Sequence, residues 1–131
     1  MKRDSLLKKM LLPSDNFMAE QLLLTYAASL NLEMNAQAVI DYAVKNYLSD
    51  LPDKPLWVDG SGLSRQDLFT PRSMVKLCEK IYDEFAGREQ ALFDLLPHGG
   101  KTGTLRNYFK SEKPFVFAKT GSLSNNHNLS G

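Results

Sequence analysis

Two tripeptides near the two ends of the chain carry side chains suited to acid–base and anion-binding chemistry. Ser14-Asp15-Asn16 offers a hydroxyl and a carboxamide, and Lys119-Thr120-Gly121 offers an ammonium group beside a hydroxyl. Side chains of these types relay protons and bind charged groups in acid–base catalysis. Neither tripeptide is specific alone, because each is expected by chance roughly 0.02 to 0.03 times in a chain of this length. Their meaning therefore depends on the elements that position them.

Lys-Thr-Gly occurs twice, and the flanking residues separate the two copies. Lys101-Thr102-Gly103 follows Leu-Pro-His-Gly-Gly, which is typical of a turn, whereas Lys119-Thr120-Gly121 follows Phe-Val-Phe-Ala, which is typical of a strand. An edge strand can bind an extended substrate through its backbone, and glycine lets that substrate approach closely. We assign the second copy to the candidate site and the first to a turn.

The rest of the pattern predicts a mainly helical chain. Helices are predicted over 6–12 and 17–30, from an Asn35 cap to Tyr47, from Thr70-Pro71 towards Gly87, and from about Arg88 to before Pro97. A short strand is predicted over 56–58 and a flexible stretch over 98–113.

The strand predicted over 115–118, leading into Lys119, has no evident partner in the sequence. A lone strand leaves its backbone groups unpaired, so we expect it to be disordered or paired in a self-association contact. Without sheet support, Lys119 is not expected to lie within a few ångströms of Ser14.

Further motifs lie between the two tripeptides and carry a family resemblance. They are Asp59-Gly60-Ser61-Gly62-Leu63-Ser64-Arg65, Leu95-Leu96-Pro97 with Gly99-Gly100, and Gly103-Thr104-Leu105 with Tyr108. In this order, nearly the whole chain resembles the D-Ala-D-Ala carboxypeptidase/endopeptidase family of low-molecular-mass class C penicillin-binding proteins. Asp67 departs from the family, which more often has asparagine there.

The resemblance implies three catalytic residues. Ser14 would relay a proton between nucleophile, lysine and leaving amine. Asn16 would hydrogen-bond the penultimate peptide group of the substrate, and Lys119 would supply positive potential for its terminal carboxylate. Read alone, Ser14 is a helix cap and Lys119 a solvated lysine, but the order of the motifs favours the site.

The resemblance also implies five substrate-binding residues. Thr120 and Ser122 would bind the carboxylate through their hydroxyls, and the Ser122 backbone N–H would form half of an oxyanion hole. Gly121 would allow close approach of the substrate. Leu63 and Arg65 match positions that help to form the pocket for the end of the substrate side chain, although Arg65 alone would be read as a surface arginine.

The nucleophile that the resemblance implies is the serine of a Ser-x-x-Lys motif far upstream of Ser14. Ser5-Leu6-Leu7-Lys8 has the spacing, but it precedes Ser14 by only nine residues within one helix and loop. We interpret it as a chance match. Residues 1–131 are accordingly expected to be a partial domain, mainly helical and α+β. They would form part of a penicillin-binding-protein/β-lactamase-like transpeptidase domain that lacks the Ser-x-x-Lys segment and the C-terminal strands and helix.

The expected function is that of a serine-type D-Ala-D-Ala carboxypeptidase/endopeptidase. The resemblance implies peptidoglycan stem peptides as substrates, an acyl-enzyme, β-lactams as inhibitors and a periplasmic location, with this chain inactive by itself. A serine β-lactamase is disfavoured by the motif over 59–65. The alternative from another class is a non-catalytic helical binding or interaction module.

Composition bears on whether the chain binds nucleic acid, membranes or metal ions. A formal net charge of +1 gives no general attraction to nucleic acid, and no apolar run approaches the roughly 18 residues of a membrane span. The single cysteine, Cys78, lies in an apolar series and is expected to be a core thiol. His98 and His127 have no cysteine or histidine partners at ligand spacing. We therefore expect no metal and no cofactor.

Overall fold

The computed structural model describes residues 3–131, which form two compact units. The first unit comprises 3–15 and 78–131, and the second comprises 16–77. The helices are α1 (Arg3–Leu11), α2 (Asn16–Ser29), α3 (Ala36–Asn46), α4 (Pro71–Glu84) and α5 (Glu89–Phe93), with a 3₁₀ helix over Gly103–Leu105. The strands are β1 (Lys119–Leu123) and β2 (Asn126–Ser130). This mixture confirms the prediction of a mainly helical α+β fold.

Two helices of the second unit begin at the predicted capping residues. The Asn35 side chain accepts a hydrogen bond of 2.8 Å from the Ala38 N–H at the start of α3. The Thr70 hydroxyl accepts one of 3.3 Å from the Ser73 N–H, directly before Pro71 opens α4. Both side chains satisfy backbone donors that lack a partner within the helix.

The core of the second unit lies between α2 and α3, which pack against each other. Ala27, Val39, Ile40 and Ala43 are buried on these two helices. The chain leaves α2 through Asn31, whose φ of 55° is left-handed, and the Leu32 N–H then donates to the Ala27 carbonyl over 3.0 Å. This is a Schellman ending with asparagine in the position that glycine usually occupies.

The predicted strand over 56–58 is a single pair in the structure and not a ladder. Leu56 and Leu68 exchange backbone hydrogen bonds of 3.0 and 2.7 Å, and the chain turns between them. Within the turn Gly60 lies so close to α2 that a Cβ there would be 2.9 Å from the Leu23 Cβ. The strand prediction is wrong because local turn hydrogen bonds take up the backbone groups that a ladder would use.

The first unit has its own core, formed where α5 and the following loop meet the segment before β1. Leu92, Leu95, Pro97, Leu105 and Ala118 are buried there. The rings of Phe93 and Phe117 stack with centroids 4.6 Å apart, and the His98 ring packs edge-on against Phe117 at 4.8 Å. Cys78 is half-buried at the edge of this unit, and burial raises the pKa of its thiol.

The strand near Lys119 is paired within the chain, contrary to expectation. It begins at Lys119, and β1 pairs antiparallel with β2 in the register Lys119 with Ser130 and Leu123 with Asn126. Residues 115–118 instead lie along the segment 97–99, through hydrogen bonds from Gly99 N–H to Val116 O and from Ala118 N–H to Pro97 O. The prediction of an unpaired strand is wrong because the sequence does not reveal either partner. Self-association was expected because an unpaired strand seeks a partner, and that reason no longer applies. The self-association contact stays an untested prediction.

The stretch predicted to be flexible, 98–113, is folded over most of its first half. The Lys101 and Thr102 N–H groups both donate to the His98 carbonyl over 3.1 Å, and the Gly100 N–H donates to the Leu105 carbonyl over 3.0 Å. These bonds form a tight turn followed by the 3₁₀ helix. The first Lys-Thr-Gly copy thus lies in a turn, as predicted.

Candidate active site

Ser14 lies in the turn that ends α1, in a backbone conformation that serine seldom adopts. Its φ is 61°, and the next N–H, that of Asp15, donates to the Met10 carbonyl over 2.9 Å. This is a Schellman ending with Ser14 at the position where glycine is most common. Ser14 is therefore held by the end of the preceding helix, and reading it as the cap of the following helix is wrong.

Lys119 contacts Ser14 directly across the first unit. The Lys119 Nζ donates a hydrogen bond of 2.6 Å to the Ser14 Oγ and another of 2.5 Å to the Thr120 carbonyl. Lys119 is half-buried, and burial lowers the pKa of its ammonium group because charge is costly away from water. The expectation that Lys119 would not be held near Ser14 is wrong, since β2 and the 97–99 segment support the strand.

The ammonium group of Lys119 is held by oxygen atoms of Ser14 and Thr120 and not by a carboxylate. Burial is the cause of its lowered pKa, and no neighbouring acid among the described residues contributes to that pKa. A half-buried ammonium group beside a serine hydroxyl can attract an external carboxylate and exchange a proton with that hydroxyl.

Two hydroxyls lie on one face of β1, because side chains alternate along a strand. The Thr120 hydroxyl donates to the Thr104 Oγ1 over 2.8 Å, and the Ser122 Oγ forms a 2.8 Å hydrogen bond with the His127 Nδ1. Thr104 belongs to the 3₁₀ helix, and His127 lies opposite Ser122 on β2. Each hydroxyl is thereby oriented by a neighbouring element.

Gly103 allows the 3₁₀ helix to approach both α1 and the core. A Cβ on Gly103 would be 2.8 Å from the Leu12 carbonyl oxygen and 3.0 Å from the Pro97 Cβ, and the φ of 57° is also unfavourable for other residues. This close approach places Thr104 beside Thr120. The glycine of the first Lys-Thr-Gly copy thus has a structural role, while Lys101 is exposed in its turn.

Gly121 is not required by the packing of the chain itself. It is exposed, and a Cβ there would meet only the Asn128 Cβ, at an ordinary 3.8 Å. The backbone of β1 at Gly121 is therefore open on the side where a Cβ would project.

The three other predicted site residues belong to the second unit. Asn16 is the first residue of α2, and Leu63 and Arg65 are exposed in the loop between Leu56 and Leu68. The structure brings together Ser14, Lys119, Thr120 and Ser122 with the intervening Gly121, all in the first unit. The roles of Asn16, Leu63 and Arg65 stay predictions.

Sequence reasoning gave no role to Thr104 and read His127 only as an isolated histidine. Thr104 was part of a motif, Gly103-Thr104-Leu105, but a hydroxyl contact across 16 residues has no local sequence signal. The position of His127 could have been predicted by assuming a hairpin after the strand. A two-residue connection after Leu123 places His127 opposite Ser122.

Other kinds of site receive no support from the described residues. Within residues 3–131 no group of three or more histidine, cysteine or acidic side chains is placed to hold a metal ion. No helix in the same range is long and apolar enough to cross a membrane.

The α+β fold, with Ser14 and Lys119 paired across it, places the chain among the penicillin-binding-protein and β-lactamase-like domains. The model of the D-Ala-D-Ala carboxypeptidase 3 (S13) family matches residues 3–131. The D-alanyl-D-alanine carboxypeptidase DacB of Haemophilus influenzae is 33% identical over 96% of this chain and 27% of its own length. Penicillin-sensitive carboxypeptidase A of Dictyostelium discoideum is 36% identical over 56% of this chain and 15% of its own length.

A solved structure agrees with these relatives. Penicillin binding protein 4 (dacB) from Haemophilus influenzae, complexed with a novel β-lactam, superposes with a TM-score of 0.76 at 30% identity. The match covers 97% of this chain and 30% of that one. The chain belongs to the D-Ala-D-Ala carboxypeptidase 3 (S13) family. It spans less than a third of the length of these relatives.

Proposed function

We propose that this chain provides the Ser-Asp-Asn and Lys-Thr-Gly elements of a serine-type D-Ala-D-Ala carboxypeptidase/endopeptidase. Its substrates would be peptidoglycan stem peptides, cleaved through an acyl-enzyme, and its inhibitors would be β-lactams. A periplasmic location follows from such a substrate. The observation that carries the proposal is the 2.6 Å hydrogen bond from the Lys119 Nζ to the Ser14 Oγ. Family membership favours this reading over a non-catalytic helical interaction module.

Ser14 and Lys119 would act as the proton-transfer half of the reaction. During acylation the nucleophilic serine attacks the carbonyl of the penultimate D-alanine, and the C–N bond to the terminal D-alanine breaks. The departing amine needs a proton, which the Ser14 hydroxyl can give while Lys119 stabilises the oxygen left behind. The lowered pKa of Lys119 brings its proton affinity closer to that of the groups it serves.

The substrate carboxylate would bind at the start of β1. Lys119 offers a half-buried positive charge, and Ser122 offers a hydroxyl on the same strand. The Thr120 hydroxyl would bind the carboxylate by turning its proton away from the Thr104 Oγ1, to which it donates in the structure. A charge-assisted hydrogen bond is roughly twice as strong as a neutral one, so this end of the substrate would be held firmly.

The backbone of β1 would align the rest of the substrate. An extended peptide can add to a strand edge through main-chain hydrogen bonds. The open side of Gly121 would let that peptide come close without a clash. Asn16 would bind the penultimate peptide group, and Leu63 and Arg65 would contact the end of the stem-peptide side chain, as the family resemblance implies.

The test is a chimera of the Haemophilus influenzae relative in which the aligned segment is replaced by this chain. D-Alanine release from an N-acylated D-Ala-D-Ala peptide gives kcat/KM. Ser14→Ala and Lys119→Ala should each lower kcat/KM by at least about 10²-fold, the usual scale for acid–base groups. Lys101→Ala, in the exposed copy of the tripeptide, is the matched control and should change it less than about 2-fold. If Lys101→Ala were the damaging substitution, or Ser14→Ala were harmless, the proposal would be wrong.

A further inference from the structure

Ser122 and His127 form a hydrogen-bonded pair across the β1–β2 hairpin. The two residues lie directly opposite each other in the strand register, and the Ser122 Oγ is 2.8 Å from the His127 Nδ1. Both side chains are exposed, so solvent or a ligand can reach them. The pairing joins a residue expected to bind the substrate carboxylate to an imidazole ring, which can act as a hydrogen-bond donor or acceptor and can carry a positive charge.

The Thr120 and Ser122 hydroxyls on β1 have different hydrogen-bond partners. The Thr120 hydroxyl already donates its proton to the Thr104 Oγ1. The Ser122 hydroxyl is therefore the hydroxyl on this face whose proton is not already donated to Thr104. His127 is the side chain that contacts this hydroxyl and can set the direction of its proton.

We propose that His127 is a positioning residue that directs the Ser122 hydroxyl proton and makes recognition of a terminal carboxylate depend on pH. The inference rests on the proposed function of β1, because it concerns the same carboxylate-binding position.

The chemistry follows from what each form of the imidazole can do. The proposal requires neutral His127 to be the Nε2–H tautomer, whose Nδ1 can only accept, so the Ser122 hydroxyl points its proton towards the ring and its lone pairs towards the ligand. An imidazolium ring donates through Nδ1 to the Ser122 Oγ, which frees the hydroxyl proton for a carboxylate. The ring then also adds a positive charge nearby. Protonation thus converts the position from one that repels a carboxylate to one that binds it.

Few other titratable groups lie on β1, on β2 and on the 3₁₀ helix that contacts β1. Lys119 is the only other charged side chain within 119–130, and its ammonium group donates to Ser14 and to the Thr120 carbonyl. The 3₁₀ helix that contacts β1 contains no titratable side chain, and Arg106, which follows it, is exposed and always charged. In the segment before β1, His98 hydrogen-bonds the Phe93 carbonyl and packs on Phe117.

The pair itself can be tested without a ligand. Ring ¹⁵N chemical shifts of His127, followed by NMR from pH 5 to 8 in the 131-residue chain, report its protonation and tautomer. Ser122→Ala should change the His127 Nδ1 chemical shift at a given pH, because the hydrogen-bond partner of that nitrogen is lost. His98, which contacts the Phe93 carbonyl instead, serves as an internal control whose ring shifts should not change. Identical His127 ring shifts in the two proteins would overturn the inference, whatever the result with ligands.

Ligand binding tests the consequence for recognition. N-acetyl-D-alanyl-D-alanine should bind roughly 5-fold more tightly at pH 5.5 than at pH 7.5, the scale of one improved hydrogen bond. The C-terminal carboxamide of the same dipeptide, which has no charge to recognise, should show no such preference. His127→Gln and Ser122→Ala should each remove the pH dependence for the carboxylate ligand. A merely structural role of His127 would instead weaken both ligands equally at both pH values.

Failure of this inference and failure of the proposed function can be told apart. Lys119→Ala should weaken carboxylate binding at both pH values, because its charge serves the site independently of His127. If Lys119→Ala lost binding while His127→Gln kept the pH dependence, only the inference would fall. If the dipeptide showed no pH preference or no binding at pH 5.5, the inference would be overturned, and the chimera assay would then decide the proposed function.

Discussion

At the scale of single residues, Ser14 combines a hydroxyl that the proposed function uses with a backbone conformation that favours glycine. A left-handed φ costs a non-glycine residue on the order of 1 kcal/mol, and the structure nonetheless has serine there with a φ of 61°. The conformation places the Oγ 2.6 Å from the Lys119 Nζ. Glycine would suit the turn better but would remove the hydroxyl that the proposed proton relay requires. Under that proposal, stability and function conflict at Ser14.

This conflict predicts that two substitutions at position 14 have the same effect on the relay but different effects on stability. Ser14→Gly and Ser14→Ala both remove the hydroxyl, so both should abolish the proton relay in the chimera. Ser14→Gly also removes the backbone cost, so its free energy of unfolding should exceed that of Ser14→Ala by about 1 kcal/mol. Urea denaturation of the 131-residue chain measures this difference. Equal stability of the two variants, or greater stability of Ser14→Ala, would contradict the account of the turn.

The residue types of the site were predictable from sequence, but their distances were not. The order of the motifs singles out Ser14 and Lys119, whose side chains lie 2.6 Å apart although the sequence predicts no contact. The prediction is wrong because β2 and the segment 97–99, which support the strand, have no strand signal of their own in the sequence. The contact of Thr104 with Thr120 could not be predicted, because a hydrogen bond between two hydroxyls does not affect the composition or the periodicity of the sequence.

At the scale of elements, the loop between Leu56 and Leu68 is held by side chains that bind its own backbone. The Asp67 carboxylate accepts from the Val58 N–H over 2.8 Å, and the Asp59 carboxylate accepts from the Gly62 N–H over 3.0 Å. The Glu20 carboxylate on α2 accepts from the Gly60 N–H over 2.6 Å. Aspartate and serine commonly stabilise turns in this way, which explains why this motif is rich in them.

The Asp67 carboxylate is expected to lower the stability of the folded chain at neutral pH. Burial raises the pKa of the Asp67 carboxyl above its usual value, and the neighbouring Asp59 raises it further. The folded chain thus retains a proton at pH values where the unfolded chain has lost it. Stability should therefore be lost as the pH rises above the unfolded value of about 3.9, and the penalty should be present at neutral pH.

Asp67→Asn should for this reason stabilise the chain at pH 7. The asparagine carbonyl can still accept from the Val58 N–H, and the charge is gone. We expect an increase of about 0.5–1 kcal/mol in the free energy of unfolding at pH 7 and a smaller increase at pH 4, measured by thermal or urea denaturation. Asp83→Asn, at an exposed position on α4, is the matched control. A loss of stability at both pH values would show that the carboxylate is needed for the turn.

The helix ends were predicted more accurately than the strands, because a helix cap is a local interaction and a strand depends on a partner elsewhere in the chain. Caps such as Asn35 and Thr70 act on neighbouring residues, so a local pattern identifies them. A strand is defined by its partner. Residues 116–118 pack beside 97–99 while Phe115 is exposed, and the ladder forms in the polar residues that follow. Hydrophobicity therefore located a buried segment correctly and the strand about four residues too early.

At the scale of the whole molecule, the described residues contain the part of the proposed acyl-transfer site that would transfer protons and bind the carboxylate. The first unit holds the Ser14–Lys119 pair and the hydroxyls of β1, which suit proton transfer and carboxylate binding. The serine of the local Ser-x-x-Lys spacing, Ser5, lies exposed on α1, as does Lys8. A nucleophilic serine needs an adjacent base that can take its proton, and an exposed lysine in water retains its own proton at neutral pH.

The 131-residue chain should consequently form no covalent adduct with a labelled penicillin. Ser5 has no buried base, and the hydroxyl of Ser14 receives a hydrogen bond from an ammonium group, which does not activate it for attack. Intact-mass spectrometry after incubation at pH 7 should show the unmodified chain, while the chimera with the Haemophilus influenzae relative should gain the mass of one penicillin. An adduct mapped to Ser5 would overturn its interpretation as a chance match. An adduct mapped to Ser14 would instead mean that Lys119, with its lowered pKa, acts as a base, and that this pair is a nucleophilic centre and not a relay.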